Sequence, residues 1–108
     1  MTVTDLQEKL GLTALCELHD REIEGVFISD MVSDAMAYAK AANLWITTQT
    51  HKNVIAAANL VDVAAVIFPR GKTANQEVLD LAEKVEMTLF TTELDTYALV
   101  IKLHEAGL

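Results

Sequence analysis

Apolar residues recur along the chain at two spacings, which alternate and predict strands and helices in turn. Short apolar runs predict strands over residues 13–18, 22–29, 44–48, 63–68 and 88–91. Longer segments with apolar residues three and four apart predict helices before, between and after these strands. Strands that alternate with helices indicate βαβ units around a parallel sheet. We therefore predict a three-layer α/β/α fold, with a mostly parallel (mixed) sheet of about five strands, and a single domain over residues 1–108.

Residues that favour helix starts precede each helical segment. A capping box of Thr4 and Gln7 is predicted to begin the first helix, which Gly11 ends. The other predicted helices span residues 33–41, 50–61, 75–86 and 93–106, and they start at Ser33 or Asp34, Thr50, Asn75 and Glu93. The first two strands form a hairpin in one interpretation and are joined by a longer crossover in the other.

Composition adds an expectation about assembly. Hydrophobic residues make up 52% of the 108-residue chain, slightly above the usual share of about 45–50%. A domain this short that covers its sheet with helices should still expose an apolar patch. We therefore predict a homodimer that forms through helix faces carrying Met31, Met36 and Tyr38.

Charge and cysteine content exclude several classes of protein. The chain has 16 acidic and 8 basic residues and a net charge of −8, which repels a phosphate backbone and argues against nucleic-acid binding. Its first residues include Asp5 and Glu8, unlike a signal peptide. The most apolar run, residues 54–68, contains Asn59 and Asp62 and is shorter than the roughly 20 residues of a membrane span. With a single cysteine, Cys16, the sequence predicts a cytoplasmic protein without disulfides or membrane contact.

Motifs of standard enzyme chemistry do not occur in the sequence. There is no Walker loop, no GxGxxG and no GxSxG. We therefore expect no enzyme activity, no catalytic residue, no cofactor and no metal. The alternative is a small enzyme or metal-dependent protein that uses Asp30 and His51, the one pair suited to acid–base chemistry. A metal site in that alternative would add Asp34 and Glu93, although no HxxxH or HExxH spacing is present.

Polar residues follow four of the predicted strands, and the carboxyl ends of parallel strands meet at one edge of a sheet. Helix N-termini point to the same edge and attract anions. The candidate ligand-binding residues there are Ser29, Asp30, Thr48, Gln49, Thr50, His51, Arg70, Thr92 and Glu93. The expected ligand is a small anionic metabolite or nucleotide, whose binding His51 could make sensitive to pH. In the other interpretation, Thr50 and its neighbours are ordinary helix caps and a solvated rim.

Three motifs in a fixed order carry a resemblance to a known family. They read Asp20-Arg21-x-Ile-x-Gly25, Val-x-Ile-Ser-Asp30-x-x-Ser-Asp34-x-Met36 and Leu-Trp45-Ile-Thr-x-Gln49-Thr-His51-x-Asn53. Together with Thr91-Thr92-Glu93-Leu94 near the end, they resemble the small stand-alone proteins of the DRTGG domain family. The chain departs from the pattern in one turn, because many relatives have Gly-Gly where it has Pro69-Arg70-Gly71-Lys72.

The resemblance implies a fold and a kind of function. It implies a fold like the N-terminal domain of HPr kinase/phosphorylase, and related domains are fused to CBS modules in regulated pyrophosphatases. It brings no catalytic residues, since the family is not known as an enzyme class. The expected function is a non-enzymatic regulatory or interaction module that binds a small anionic ligand or docks on a metabolic enzyme.

Overall fold

A five-stranded sheet lies at the centre of the computed structural model, which describes all residues from Met1 to Leu108. The strands are Thr13–Ala14 (β1), Val26–Ile28 (β2), Leu44–Ile46 (β3), Ala65–Phe68 (β4) and Thr88–Thr91 (β5). The helices are Val3–Leu10 (α1), Val32–Tyr38 (α2), Lys52–Val61 (α3), Gln76–Lys84 (α4) and Thr96–Glu105 (α5). None of these helices has the length and apolar character needed to span a membrane.

The order of the strands in the sheet is β1-β5-β4-β3-β2. Strands β2 to β5 are parallel and lie side by side in chain order, whereas β1 pairs antiparallel with β5. The hairpin interpretation is therefore wrong, because β1 and β2 lie at opposite edges and a crossover joins them. Backbone hydrogen bonds hold that crossover against the start of the chain, from Val3 to Arg21 and from Ile23 to Met1.

Each face of the sheet has its own hydrophobic core. On one face, α2, α3 and α4 pack on Trp45, Val66, Phe68 and Leu89. On the other face, α1 and α5 pack on inward-facing residues of the same strands, which are Leu44, Ile46, Ala65, Ile67 and Phe90. Because side chains alternate along a strand, neighbouring residues supply the two cores. The predicted three-layer fold with a mostly parallel sheet is confirmed.

The first two strands are shorter than the sequence predicts. The chain pairs as a named strand only over Thr13–Ala14 and Val26–Ile28. Glu22, at the predicted start of the second strand, makes only an isolated bridge to Thr2. Beyond the named strands, pairing is reduced to single hydrogen bonds, such as those from the Leu15 amide to the Leu89 carbonyl at 2.9 Å and from the Ser29 amide to the Ile46 carbonyl at 3.3 Å.

Several helix starts also differ from the predicted ones. The capping box of α1 is formed by Thr2 and Asp5 instead of Thr4 and Gln7, because the helix begins at Val3 and the same spacing occurs two residues earlier. Met31 precedes α2, so Ser33 and Asp34 lie within its first turn. His51 and Asp95, and not Thr50 and Glu93, occupy the N-cap positions of α3 and α5. The predicted stop at Gly11 and the predicted cap at Asn75 are confirmed.

Candidate functional site

The carboxyl ends of β2, β3, β4 and β5 lie at one edge of the sheet, as the sequence predicts, because these four strands are parallel. The polar residues that follow them do not form one crevice. They divide into a hydrogen-bonded group between β2 and β3, a closed pair of loops after β4 and β5, and an open pocket between α3 and α4.

Asp30 connects the ends of β2 and β3. Its carboxylate accepts hydrogen bonds from the Thr48 amide at 2.7 Å, the Thr48 hydroxyl at 2.7 Å and the Thr47 hydroxyl at 3.1 Å. Partial burial opposes ionisation, but these hydrogen bonds and the positive charge of Lys72 lower the pKa of Asp30 below its ordinary value. The carboxylate is therefore ionised and engaged. No hydrogen bond joins it to His51, so the acid–base pair that the alternative function needs is not formed.

Ser29 has a structural role beside Asp30. Its hydroxyl accepts the Met31 amide at 3.1 Å and donates to the Asp34 carboxylate at 3.3 Å. Its carbonyl accepts the Trp45 indole N–H at 2.9 Å. These bonds fix the turn from β2 into α2. They engage the Ser29 hydroxyl within that turn, so it is not directed at a pocket.

The loops after β4 and β5 close on each other. In doubly wound folds, a ligand crevice opens where consecutive connections leave for opposite faces of the sheet. That point lies here, because α4 covers one face and α5 the other. The Arg70 amide donates to the Leu94 carbonyl at 2.9 Å and the Gly71 amide to the Thr92 carbonyl at 2.7 Å. The crevice expected from the fold is filled by backbone.

The turn in these loops also explains the positions of Arg70 and Glu93. Arg70 and Gly71 both have left-handed backbone conformations, with φ of 56° and 66°. A Cβ on Gly71 would lie 3.0 Å from both carboxylate oxygens of Glu93. Arg70, Thr92 and Glu93 therefore belong to the turn, and the structure does not bring them to the pocket formed by α3 and α4.

An open pocket of about 500 Å³ lies between the N-termini of α3 and α4. Six of its seven lining residues have polar side chains; the lining consists of Thr50, His51, Lys52, Asn53, Asn75, Glu77 and Val78. Thr50 and His51 are the residues of the predicted ligand site that reach it. Lys52 and Glu77 face each other from the two helices, with 3.2 Å between Nζ and Oε1.

Two helix N-termini give this pocket its electrostatic character. His51 is the N-cap of α3 and makes no capping hydrogen bond with its side chain, so the first amides of that helix remain available. In α4 the Asn75 side chain accepts the Val78 amide at 3.1 Å, which leaves the two preceding amides without a protein acceptor. The helix dipoles place partial positive charge at both N-termini, and Lys52 adds a full positive charge that is paired with the Glu77 carboxylate. The arrangement suits an anionic or strongly hydrogen-bonding ligand.

The sequence did not identify most of this pocket. Lys52, Asn53, Glu77 and Val78 were not expected there, and Asn75 was expected only as a cap. The sequence does show that these five residues lie at the starts of two consecutive helices on one face of a parallel sheet. It therefore predicts that they lie near the same edge of the sheet. It does not predict how far apart they are, since the gap between α3 and α4 depends on how both helices pack on the sheet.

A metal site built from Asp30, Asp34, His51 and Glu93 is not formed. No three of these residues bring ligand atoms within 4.8 Å of one another. The Asp30 carboxylate is held by Thr47 and Thr48 at the end of β3, and the Asp34 carboxylate accepts the Ser29 hydroxyl.

Comparisons with known proteins agree with the fold. The family model of the DRTGG domain matches residues 5–106. The structure is similar to the CBS and DRTGG domains of the regulatory region of Clostridium perfringens pyrophosphatase in complex with its activator, diadenosine tetraphosphate, with a TM-score of 0.69 and 17% identity. The match covers 89% of this chain and 43% of that one, so the chain spans less than half of the clostridial region. No curated protein matches the sequence.

Proposed function

We propose that this chain, which belongs to the DRTGG domain family, is a non-enzymatic regulatory module that binds a small anionic ligand between α3 and α4. The observation that supports the proposal most strongly is the polar pocket of about 500 Å³ at two helix N-termini. Free amides and the Lys52 ammonium can bind phosphate or carboxylate oxygens there. Binding would tie the starts of α3 and α4 together.

The clostridial relative supports the choice of ligand class. Its regulatory region was solved with an activator that contains a chain of phosphates. A phosphate-bearing nucleotide or metabolite would replace Glu77 as the partner of Lys52 and would compete with that ion pair. Because both side chains of the pair are largely exposed, breaking it costs little.

The proposal is tested by thermal unfolding of the purified chain with inorganic phosphate, ATP and diadenosine tetraphosphate as separate probes. A ligand present at ten times its Kd stabilises the folded state by about 1.4 kcal/mol, which for a domain of this size raises Tm by about 5–10 °C. We expect such a rise for at least one probe in the wild-type protein. The shift should shrink strongly in Lys52→Gln and in His51→Ala.

The matched control is His104→Ala, since His104 is an exposed histidine on α5, outside the pocket. It should keep the full shift. If none of the probes raises Tm in the wild-type protein, the anionic-ligand function is wrong and contact with a partner protein becomes the remaining role. An equal shift in wild type and in both pocket variants would place the ligand elsewhere on the chain.

The outer surface of α2 and α3 supports self-association as a second part of the proposal. Four large apolar side chains are exposed there, with exposed fractions of 58% for Met31, 46% for Met36, 71% for Tyr38 and 71% for Leu60. An apolar groove of about 280 Å³ lies between the two helices. A second copy of the chain packed on this face would bury these side chains, and the dimer would present its ligand pockets beside the interface. Docking on a metabolic enzyme and location in the cytoplasm stay predictions.

A further inference from the structure

A second cluster of polar side chains lies at the sheet edge opposite the ligand pocket. It comprises Glu17 and His19, in the irregular segment after β1, and Glu83, near the end of α4. Thr88, the first residue of β5, contacts the same segment. The cluster thus lies at the amino ends of the parallel strands and shares no residue with the pocket at their carboxyl ends.

The three side chains point to one place. A carboxylate oxygen from each glutamate and one ring nitrogen of His19 lie within 4.8 Å of one another. Glu17 and His19 lie two residues apart in the segment after β1. Glu83 approaches from α4 and completes the group.

Two features of the cluster are unfavourable without a bound cation. The Nε2 atom of His19 is buried and has no hydrogen-bond partner, although buried polar atoms in proteins are nearly always paired. The carboxylates of Glu17 and Glu83 lie close together, and neither makes an ion pair with a basic group of the chain. A metal ion bound through Nε2 would satisfy this nitrogen and neutralise the two like charges in one step.

Backbone hydrogen bonds hold the donor groups in place. The Glu83 carboxylate accepts the Glu17 amide at 2.8 Å, which brings the two glutamates together. The Thr88 hydroxyl accepts the His19 amide at 2.8 Å and donates to the His19 carbonyl at 3.3 Å. The first bond orients the Glu83 carboxylate, and the bonds with Thr88 fix the backbone at His19.

We propose that Glu17, His19 and Glu83 form a binding site for a divalent transition-metal ion such as Zn²⁺. One imidazole with two carboxylates suits Zn²⁺, Mn²⁺, Fe²⁺ or Co²⁺ better than Mg²⁺ or Ca²⁺, which take oxygen ligands. Metal–ligand bonds of about 2.1 Å require donor atoms roughly 3.4 Å apart in a tetrahedral site. The exposed side chains of Glu17 and Glu83 can close that gap by changing rotamer. Three protein ligands leave a further position for water.

Bound metal would connect the segment after β1 to α4, two parts of the chain that are 66 residues apart. The site is independent of the proposed ligand pocket, so either proposal can fail alone.

The test is calorimetric titration of the chelator-treated chain with Zn²⁺, followed by visible absorption with Co²⁺. We expect one ion per chain and Co²⁺ bands typical of low coordination number. Glu83→Gln and His19→Gln should each weaken Zn²⁺ binding by about tenfold or more. Gln at position 83 still offers an oxygen to the Glu17 amide, so Glu83→Gln preserves the local structure and tests the charge alone.

The matched controls are Glu8→Gln and His104→Gln, which change exposed residues of α1 and α5 away from the cluster. Both should bind Zn²⁺ like the wild-type chain. Absence of saturable Zn²⁺ binding in the folded wild-type chain would overturn the proposal. So would unchanged affinity in Glu83→Gln and His19→Gln, which would assign the ion to other residues. If His19→Gln does not fold, Glu83→Gln decides the question.

Discussion

Asp20 and Arg21, which begin the first of the three family-like motifs, stabilise the fold through hydrogen bonds. Asp20 accepts the Thr4 amide at 2.9 Å at the start of α1, and this hydrogen bond lowers the pKa of its carboxyl. Arg21 donates to the Asp62 carboxylate at 2.8 Å and to the Val63 carbonyl at 3.3 Å, at the end of α3. The Arg21 hydrogen bond in turn lowers the pKa of Asp62. Together the pair fastens the crossover between β1 and β2 to helices on both faces of the sheet.

The turn after β4 gives a prediction for a single residue. Arg70 has φ of 56°, and the left-handed conformation costs a residue with a Cβ about 1–2 kcal/mol. A glycine at this position would not have that cost. Its greater loss of conformational entropy on folding would, however, lower the free energy of unfolding by about 0.5–1 kcal/mol. We expect Arg70→Gly to raise the free energy of unfolding by about 0.5 kcal/mol, measured by urea denaturation.

Gly71→Ala is the matched comparison in the same turn. Gly71 has φ of 66° and lies against the Glu93 carboxylate, so an added Cβ is unfavourable both for the backbone and for this contact. The free energy of unfolding should fall by about 1–2 kcal/mol. A loss of stability in Arg70→Gly would show that the arginine side chain contributes more than its backbone strain costs.

At the scale of the element, α3 and α4 begin in different ways, although both line the ligand pocket. Asn75 caps α4 with its side chain, whereas His51 precedes α3 without a capping bond, and Thr50 lies one residue too early to cap. The free energy of unfolding should fall by about 1 kcal/mol in Asn75→Ala and change by less than about 0.5 kcal/mol in Thr50→Ala.

For a domain of this size, the loss expected for Asn75→Ala corresponds to a fall in Tm of about 4–8 °C. Thermal unfolding followed by circular dichroism measures both variants without ligand. Equal losses in the two variants would mean that Thr50 caps α3 in solution, in which case α3 would offer fewer free amides to an anion.

At the scale of the whole molecule, the exposed apolar face of α2 and α3 predicts a dimer. A stable interface buries more than about 1,000 Å² in total, and the four large apolar side chains of this face would form its centre. Light scattering at micromolar concentration should give twice the mass of one chain. Met36→Glu and Leu60→Glu should shift the mass to that of a monomer, because each buries a charge in the interface.

The control for the dimer is Tyr97→Glu. Tyr97 is 77% exposed on α5, on the opposite side of the sheet, and its replacement should leave the dimer intact. A monomer in the wild-type protein would exclude self-association at this concentration. A dimer that only Tyr97→Glu dissociates would place the interface on α5.

The sequence by itself determined the features that depend on near neighbours along the chain. The bounds of β5, the buried character of β4, the cap at Asn75 and the turn after Phe68 were all predicted. Each follows from side-chain periodicity, capping or turn preference within a few residues. The fold class followed because these local patterns alternate in a way that few architectures satisfy.

Only the tertiary structure decided which residues distant in sequence lie in contact. It placed β1 beside β5 and not beside β2, and it engaged Asp30 with Thr48 and not with His51. It opened the pocket between Lys52 and Glu77 and brought Glu17 to Glu83 across 66 residues. Such contacts depend on how helices pack on the two faces of the sheet, a balance of core packing over the whole chain that no local pattern encodes.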